Sequence, residues 1–360
     1  MSALARGIAR TFGTPAVVVD LDVVERNIAR HQAACDAAGL INRPHIKTHK
    51  SPVIAAMQRD AGARGITCQK LGEAEIFADA GFDDILISYN IFGEEKEARL
   101  AALLRRSPVK LTVAADNPVT LAGLSRAGVA AGRPVGVVIE CDTGRERAGV
   151  ETPGEAIALA RQAAALPGLA FAGLMLYPPE TRWPQTQAFL DAVMSGLGAL
   201  SREAKIISTG GTPNMAHIGG LKGATEHRAG TYVYNDRMMI ACGAARLEDV
   251  ALHVYATVVS RAGAARGILD AGSKTLTSDT GGLDGHGCIL EHPQARIARF
   301  AEEHGFLDLT ASNTRPEVGD IVRIVPNHVC VVVNMVDKVV LVRGGAIVGE
   351  MDVAARGRLT

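Results

Sequence analysis

The chain is 360 residues long, balances 38 lysines and arginines against 38 aspartates and glutamates, and is 48% hydrophobic. That length exceeds an ordinary single core and calls for a large barrel or two domains, while the charge balance leaves no global field to gather nucleic acid or an anionic membrane. Six dispersed cysteines without C-x-x-C spacing, no apolar run of ~20 residues and an N-terminus without a signal-type core predict a cytoplasmic protein with reduced thiols and a small-molecule partner.

In chain order, short aliphatic runs recur at 16–21 (AVVVDL), 43–47 (RPHIK), 65–69 (GITCQ), 84–88 (DILIS), 109–115 (VKLTVAA), 135–140 (VGVVIE), 171–177 (FAGLMLY) and 205–211 (KIISTGG). Between them lie segments of helical periodicity, such as DVVERNIARHQAACDAAG and LGEAEIFADAG. Near-continuous apolar strands alternating with amphipathic helices are what a parallel sheet covered by helices requires. Eight such units predict an α/β fold, a closed (β/α)8 TIM-type barrel over 14–245. Beyond about residue 245 the pattern becomes ALHVYATVVSR, GILDAG and DIVRIVPNHVCVVVNMVDKVVLVRGGAIVGEM, with Gly and Asp-Gly turns and no long helices. This predicts a C-terminal, mainly antiparallel β domain over 246–360, joined by residues 1–13.

In such barrels reactive groups gather at the carboxyl ends of strands. Lys47, Gln69, Tyr89, Asn90, Asp116, Asp142, Arg147, Tyr177, Gly210 and Gly211 all fall at such ends. The segment RPHIKTHKSP gathers Arg43, His45, Lys47, His49 and Lys50 around the first of them. A desolvated lysine flanked by cations has a depressed pKa and can form a Schiff base. The glycine-rich STGGTPN turn at 208–214 offers unobstructed backbone N–H groups to a phosphate. Lysine plus phosphate cradle points to pyridoxal 5'-phosphate. His45 and His49 are candidate general bases, with unperturbed pKa values near neutrality; the alternative is that they pack around the lysine. Read on a strand, His328 and Cys330 face the same side and could grip one metal ion. Out of context the same H-x-C pattern describes a core histidine beside a buried thiol.

The stretches PAVVVDLD, RPHIKTHK, GITCQKLGEAE, DTGRERAGV, STGGTP, EHRAGTYVYND, ILDAGSKT, EEHG and PNHVCVVVN, in this order over nearly the whole chain, resemble the D-threonine aldolase and D-serine dehydratase group. These are fold-type III, alanine-racemase-like pyridoxal phosphate enzymes. The resemblance implies that Lys47, rather than Lys50, carries the cofactor. It implies cofactor contacts from Gln69, from Arg147 at the phenolic oxygen, from Tyr177, and from Arg228 at the pyridine nitrogen. Gly210, Gly211, Thr212, Gly230 and Thr231 would hold the phosphate. An arginine at the ring nitrogen leaves a weaker electron sink, which invites a metal to help. His328 and Cys330 would bind that divalent ion, a thiolate favouring zinc and a carboxylate suiting manganese or magnesium. A homodimer is implied too, with His304 a candidate for closing the site across the subunit interface.

Two reactions stay open. The H-x-C pair follows the dehydratase pattern, whereas the aldolases in this comparison tend to show H-x-D. GITCQKLGEAE, KTHK and ILDAGSKT look closer to the aldolase branch, although Pro178 follows Tyr177 where aldolases often place a histidine. The expected activity is a lyase on D-β-hydroxy-α-amino acids. D-threonine aldolase (glycine plus aldehyde) comes first, with D-serine or D-threo-3-hydroxyaspartate dehydratase (2-oxo acid plus ammonia) second. A non-catalytic pyridoxal-phosphate-binding protein would resemble the barrel alone, and an amino-acid racemase would need a second base and no metal pair.

Overall fold

The computed structural model describes residues 2–106 and 108–360. The chain forms two compact, discontinuous units. One comprises residues 30–47, 54–230 and 358–360; the other comprises the segment ending at Ala29 together with 48–53 and 231–357.

The first unit holds eight parallel strands: Ile41–Asn42, Ile66–Cys68, Asp84–Ile87, Lys110–Ala115, Val135–Cys141, Leu169–Leu176, Ile206–Thr209 and Glu226–His227. A parallel bridge between His45 and Thr67 joins the two ends of this sheet, with Thr67 N–H donating to Pro44 O at 2.8 Å, so the ring closes as a barrel. Ile85, Leu86, Ile87, Val113, Ala114, Val137, Val138 and Ile139 are all fully buried, the continuous apolar signature of strands covered on both faces. Sequence punctuation sets the intervening helices. Pro118–Ala131 begins with Asn117 accepting Thr120 N–H at 2.8 Å and ends at left-handed Gly132; Pro153–Ala165 begins with a Thr152/Glu155 capping box.

The second unit is built on a nine-stranded sheet. The run 16–21, read from the sequence as the first barrel strand, belongs here. Ala16–Asp20 pairs antiparallel with Leu252–Ala262 and parallel with Lys338–Arg343. A wholly apolar run fits any central strand, so its pattern does not say which sheet it joins. The barrel's eighth strand is Glu226–His227, two residues in a polar segment that no aliphatic run marks. Residues 14–29 and 231–245 therefore lie with the β unit, and the contiguous boundaries 14–245 and 246–360 give way to interleaved segments. The helix Ala3–Phe12 lays Ala5 and Ile8 against Val18, Tyr255, Val340 and Val342.

A second correction concerns His328 and Cys330. They do not lie on a strand: His328 caps the helix Val329–Met335, which separates the strands Ile321–Val325 and Lys338–Arg343. Pro326 ends the strand, and the Asp236 carboxylate accepts Val329 N–H at 3.0 Å, satisfying one of the helix's open N-terminal donors. Val329, Val332 and Val333 are fully buried at helical spacing. Tertiary burial thus overrides the strand preference of this valine-rich stretch.

Candidate active site

In the barrel unit, Lys47 sits half-buried in the 3-10 turn Ile46–Thr48, which follows the strand Ile41–Asn42. His45 braces this turn. Its Nδ1 accepts Lys47 N–H at 3.4 Å, and its Nε2 lies 3.2 Å from both Gln69 Oε1 and Ser88 Oγ. With Nδ1 accepting, the ring proton belongs on Nε2, where it can donate to Gln69. Gln69 Nε2 in turn donates to Ser88 O at 3.2 Å. Arg43 is spent elsewhere: Nε reaches Glu226 at 2.8 Å and Nη1 reaches Asp84 at 2.7 Å. The basic segment is therefore several groups with separate partners.

Arg228 is buried directly after the last barrel strand, donating from Nη2 to Leu176 O at 2.7 Å and from Nη1 to Ser208 Oγ at 3.4 Å. Burial pulls its pKa down to about 10, against the pull of Glu140 and Glu226. Glu140, near the end of Val135–Cys141, is pushed up by burial, with Arg228 and Arg147 opposing. Arg147 Nη2 lies 4.0 Å from Glu140 Oε1, and the guanidinium groups of Arg145 and Arg147 sit 4.1 and 5.4 Å from the Tyr177 ring centre. The loop carrying both arginines is fixed by Asp142. Its Oδ1 accepts Gly144 and Arg145 N–H at 2.7 and 2.6 Å, and its Oδ2 accepts Arg147 N–H at 3.1 Å.

The turn after Ile206–Thr209 is shaped for backbone access. Gly210 and Gly211 have φ of +113° and +141°. A Cβ on Gly210 would stand 2.4 Å from the His227 ring, and one on Gly211 would stand 2.3 Å from Tyr177 Cε2. Thr212 opens the 3-10 helix Thr212–His217 and is buried, as is Gly230. A half-buried amine, three arginines, an aromatic ring and a side-chain-free turn in one unit fit a planar, anionic ligand such as pyridoxal phosphate. Of the other strand-end residues, Asn90 donates to Asp116 at 2.9 Å, and Tyr89 is exposed with Lys70 Nζ 3.6 Å from its ring centre.

The β unit holds the remaining candidates. His49 is fully buried, with Nδ1 accepting Ser51 N–H at 3.1 Å. Lys50 has φ of +50° and donates to Ala355 O at 3.4 Å. His328 Nδ1 lies 2.8 Å from Asp279 Oδ2. The His328 pKa is pushed up to about 9, foremost by its hydrogen bond with the Cys330 side chain, against burial, with Asp279 adding to the rise. Cys330 Sγ is 3.3 Å from Thr48 Oγ1 and 3.9 Å from Thr231 Oγ1. Imidazole and thiol form a donor pair suited to a zinc-like ion, with the Asp279 carboxylate on the histidine's other nitrogen. His304 is exposed in the turn between Arg296–Phe300 and Gly305–Asp308, away from these contacts within its unit.

Sequence reasoning missed Glu140 and Asp279. Glu140 had a signal, a carboxylate at the end of the apolar run VGVVIE; Asp279 sits in the turn-rich stretch SDTGG with nothing to set it apart.

Residues 19–238 match the alanine racemase N-terminal domain family, and residues 251–342 match the putative serine dehydratase domain. The chain is 36% identical to a D-threonine aldolase of Arthrobacter sp, covering 96% of this chain and 93% of that one. It is 34% identical to a D-threo-3-hydroxyaspartate dehydratase of Delftia sp. (strain HT23), covering 89% and 91%. The crystal structure of a D-threonine aldolase from Filomicrobium marinum superposes with a TM-score of 0.87 at 31% identity, over 96% of each chain.

Proposed function

The chain belongs to the family that joins an alanine-racemase N-terminal domain to a serine-dehydratase domain, and on that premise we propose a pyridoxal-phosphate- and divalent-metal-dependent lyase of D-β-hydroxy-α-amino acids. Its favoured reaction in this reading is D-threonine aldolase chemistry, cleavage to glycine and an aldehyde. The observation that carries the metal-assisted lyase is the His328–Cys330 pair, hydrogen-bonded to each other and held by Asp279. A racemase has no use for such a donor set. Similarity over almost the full length to D-threonine aldolases supports the aldol direction.

When bound, pyridoxal phosphate supplies an electron sink at the substrate Cα and a divalent ion supplies a Lewis acid for the β-oxygen. Lys47 would carry the cofactor, Arg228 would contact its ring nitrogen, and Arg147, Tyr177 and Gln69 would make further contacts. Gly210, Gly211, Thr212 and Gly230, with Thr231 next in the chain, offer the phosphate contacts. His45 and His49 each accept a backbone N–H at Nδ1, so each neutral ring carries its proton at Nε2. They orient and donate in this reading, and the Lys47 Nζ is the proton acceptor. A homodimer and cytoplasmic residence belong to the same reading.

The second reading, a dehydratase, is favoured by one specific observation. The D-threo-3-hydroxyaspartate dehydratase has been solved as a histidine-to-alanine variant and as a cysteine-to-alanine variant two positions apart, the latter described as metal-free. His328 and Cys330 share that spacing. Lys47 Nζ would then take the α-proton and return it to the departing β-hydroxyl, which leaves as water.

Holoprotein incubated with D-threonine, D-serine and D-3-hydroxyaspartate, with and without chelator, tests the metal-dependent lyase. Turnover that stops on chelation and returns with zinc or manganese is expected. No turnover of any of the three, with cofactor still bound, overturns it.

A further inference from the structure

We propose that His31, Cys35 and His227 form a buried site for a zinc-class divalent cation within the barrel unit. His31 and Cys35 stand one turn apart on the helix Leu21–Ala37, and His227 projects from the last barrel strand. His31 Nε2 and Cys35 Sγ are 3.7 Å apart, the two imidazole centres are 5.2 Å apart, and one donor atom from each residue lies within 4.8 Å of the other two. Tetrahedral zinc, with nitrogen at about 2.0 Å and sulfur at about 2.3 Å, spaces its donors by roughly 3.3–3.6 Å. Small side-chain rotations close the difference.

Burial makes the site selective. The three residues are 0%, 0% and 2% exposed. Neither ring nitrogen of His227 has a hydrogen-bond partner among the described residues, an unfavourable state for buried polar atoms. Coordination through one of them relieves it in part. Burial lowers His31 to about 4 and His227 well below its ordinary value, with Arg30 and Arg228 respectively acting in the same direction, so both rings are neutral and offer lone pairs. Burial pushes the Cys35 thiol up to about 12, with Asp36 adding to it. The thiol therefore keeps its proton until a cation arrives. Binding breaks the S–H bond, forms a metal–thiolate bond and releases one proton to solvent, with no change in oxidation state. The thiolate offsets the repulsion from Arg30 and Arg228.

Two nitrogens and a sulfur select zinc or cobalt over magnesium or manganese. Thr209 is Cα-paired with His227 on the neighbouring strand, so both side chains share a face, and its hydroxyl has no partner among the described residues. That hydroxyl suits a hydrogen bond to a water in the fourth position. Gly210 packs against the His227 ring, so the cation would tie the helix Leu21–Ala37 to the last strand and the Gly210–Gly211 turn. This makes the role structural.

The proposal does not rest on the assignment of His328 and Cys330. Metal-stripped holoenzyme carrying Cys330→Ala is titrated with cobalt(II), recorded as difference spectra against the unloaded protein. A thiolate-to-cobalt charge-transfer band saturating at one equivalent, with one proton released per cobalt, is expected. Cys35→Ser on this background should abolish both signals. His227→Leu should do the same and fold normally, melting no lower than its metal-free parent because it removes two unsatisfied nitrogens. No thiolate–cobalt band on the Cys330→Ala background, or a band that survives Cys35→Ser or His227→Leu, overturns the proposal.

Discussion

His328 Nδ1 and Asp279 Oδ2 stand 2.8 Å apart, so a carboxylate holds the imidazole of the candidate metal pair by one nitrogen and commits the other to bonding elsewhere. Outer carboxylates of this kind orient a ligating histidine and raise its basicity. Asp279→Asn is expected to weaken metal binding by about 10–100-fold, read by chelator competition on the apoprotein. Asp279 is half-exposed, so the melting temperature of the metal-free protein should hardly move. An unchanged affinity would show that His328 is oriented by something else.

Gly211→Ala should damage the phosphate turn in a way that separates space from strain. Its Cβ would meet Tyr177 Cε2 at 2.3 Å, whereas one on Gly198, also at positive φ (+57°), meets nothing within 4 Å. Gly198→Ala is expected to cost about 1–3 kcal/mol from backbone strain alone. Gly211→Ala should lose more than that and also weaken cofactor retention, measured as cofactor released on dialysis. Equal losses in the two variants, with cofactor retained, would remove the steric role of the turn.

Arg43 bridges Glu226 and Asp84 and is almost fully buried. Arg43→Met leaves Glu226 charged in the interior, which should cost about 3–5 kcal/mol in urea unfolding. Adding Glu226→Gln should recover part of that loss. Additive costs in the double variant would mean the pair does not interact.

Stability of the metal-free protein should fall as pH drops below 6.5. His31, at about 4 when folded, binds its proton more readily when unfolded, so its contribution is complete above the unfolded value of 6.5 and is lost as pH falls toward 4. The groups facing it are Arg30, Cys35 and His227, with Arg228 next to His227. A shift of this size is worth about 3 kcal/mol. His31→Leu should reduce the slope between pH 6.5 and 4, the buried His227 and His253 supplying the remainder; an unchanged slope would place the acid sensitivity elsewhere.

The barrel was legible because most of its strands are aliphatic and regularly spaced, although Lys47, expected to end the run 43–47, lies in the 3-10 turn beyond Ile41–Asn42. What stayed hidden has physical causes. AVVVD could join either sheet, since burial on both faces erases the pattern that tells them apart. VCVVVN reads as a strand until Asp236, about 90 residues away, is known to satisfy Val329 N–H. Glu226–His227 is a strand only because Asn42 and Thr209 flank it. The H-x-C expectation assumed a strand, whereas His328 caps a helix and Cys330 lies in its first turn. His31, Cys35 and His227 could not be grouped from sequence at all, because the third lies nearly 200 residues beyond the first two.

Product analysis on D-threonine tests the central claim most directly. Metal-loaded holoenzyme is expected to yield glycine and acetaldehyde in equal amounts, with little ammonia. Ammonia and 2-oxobutanoate in place of glycine would contradict the aldolase assignment and establish the dehydratase.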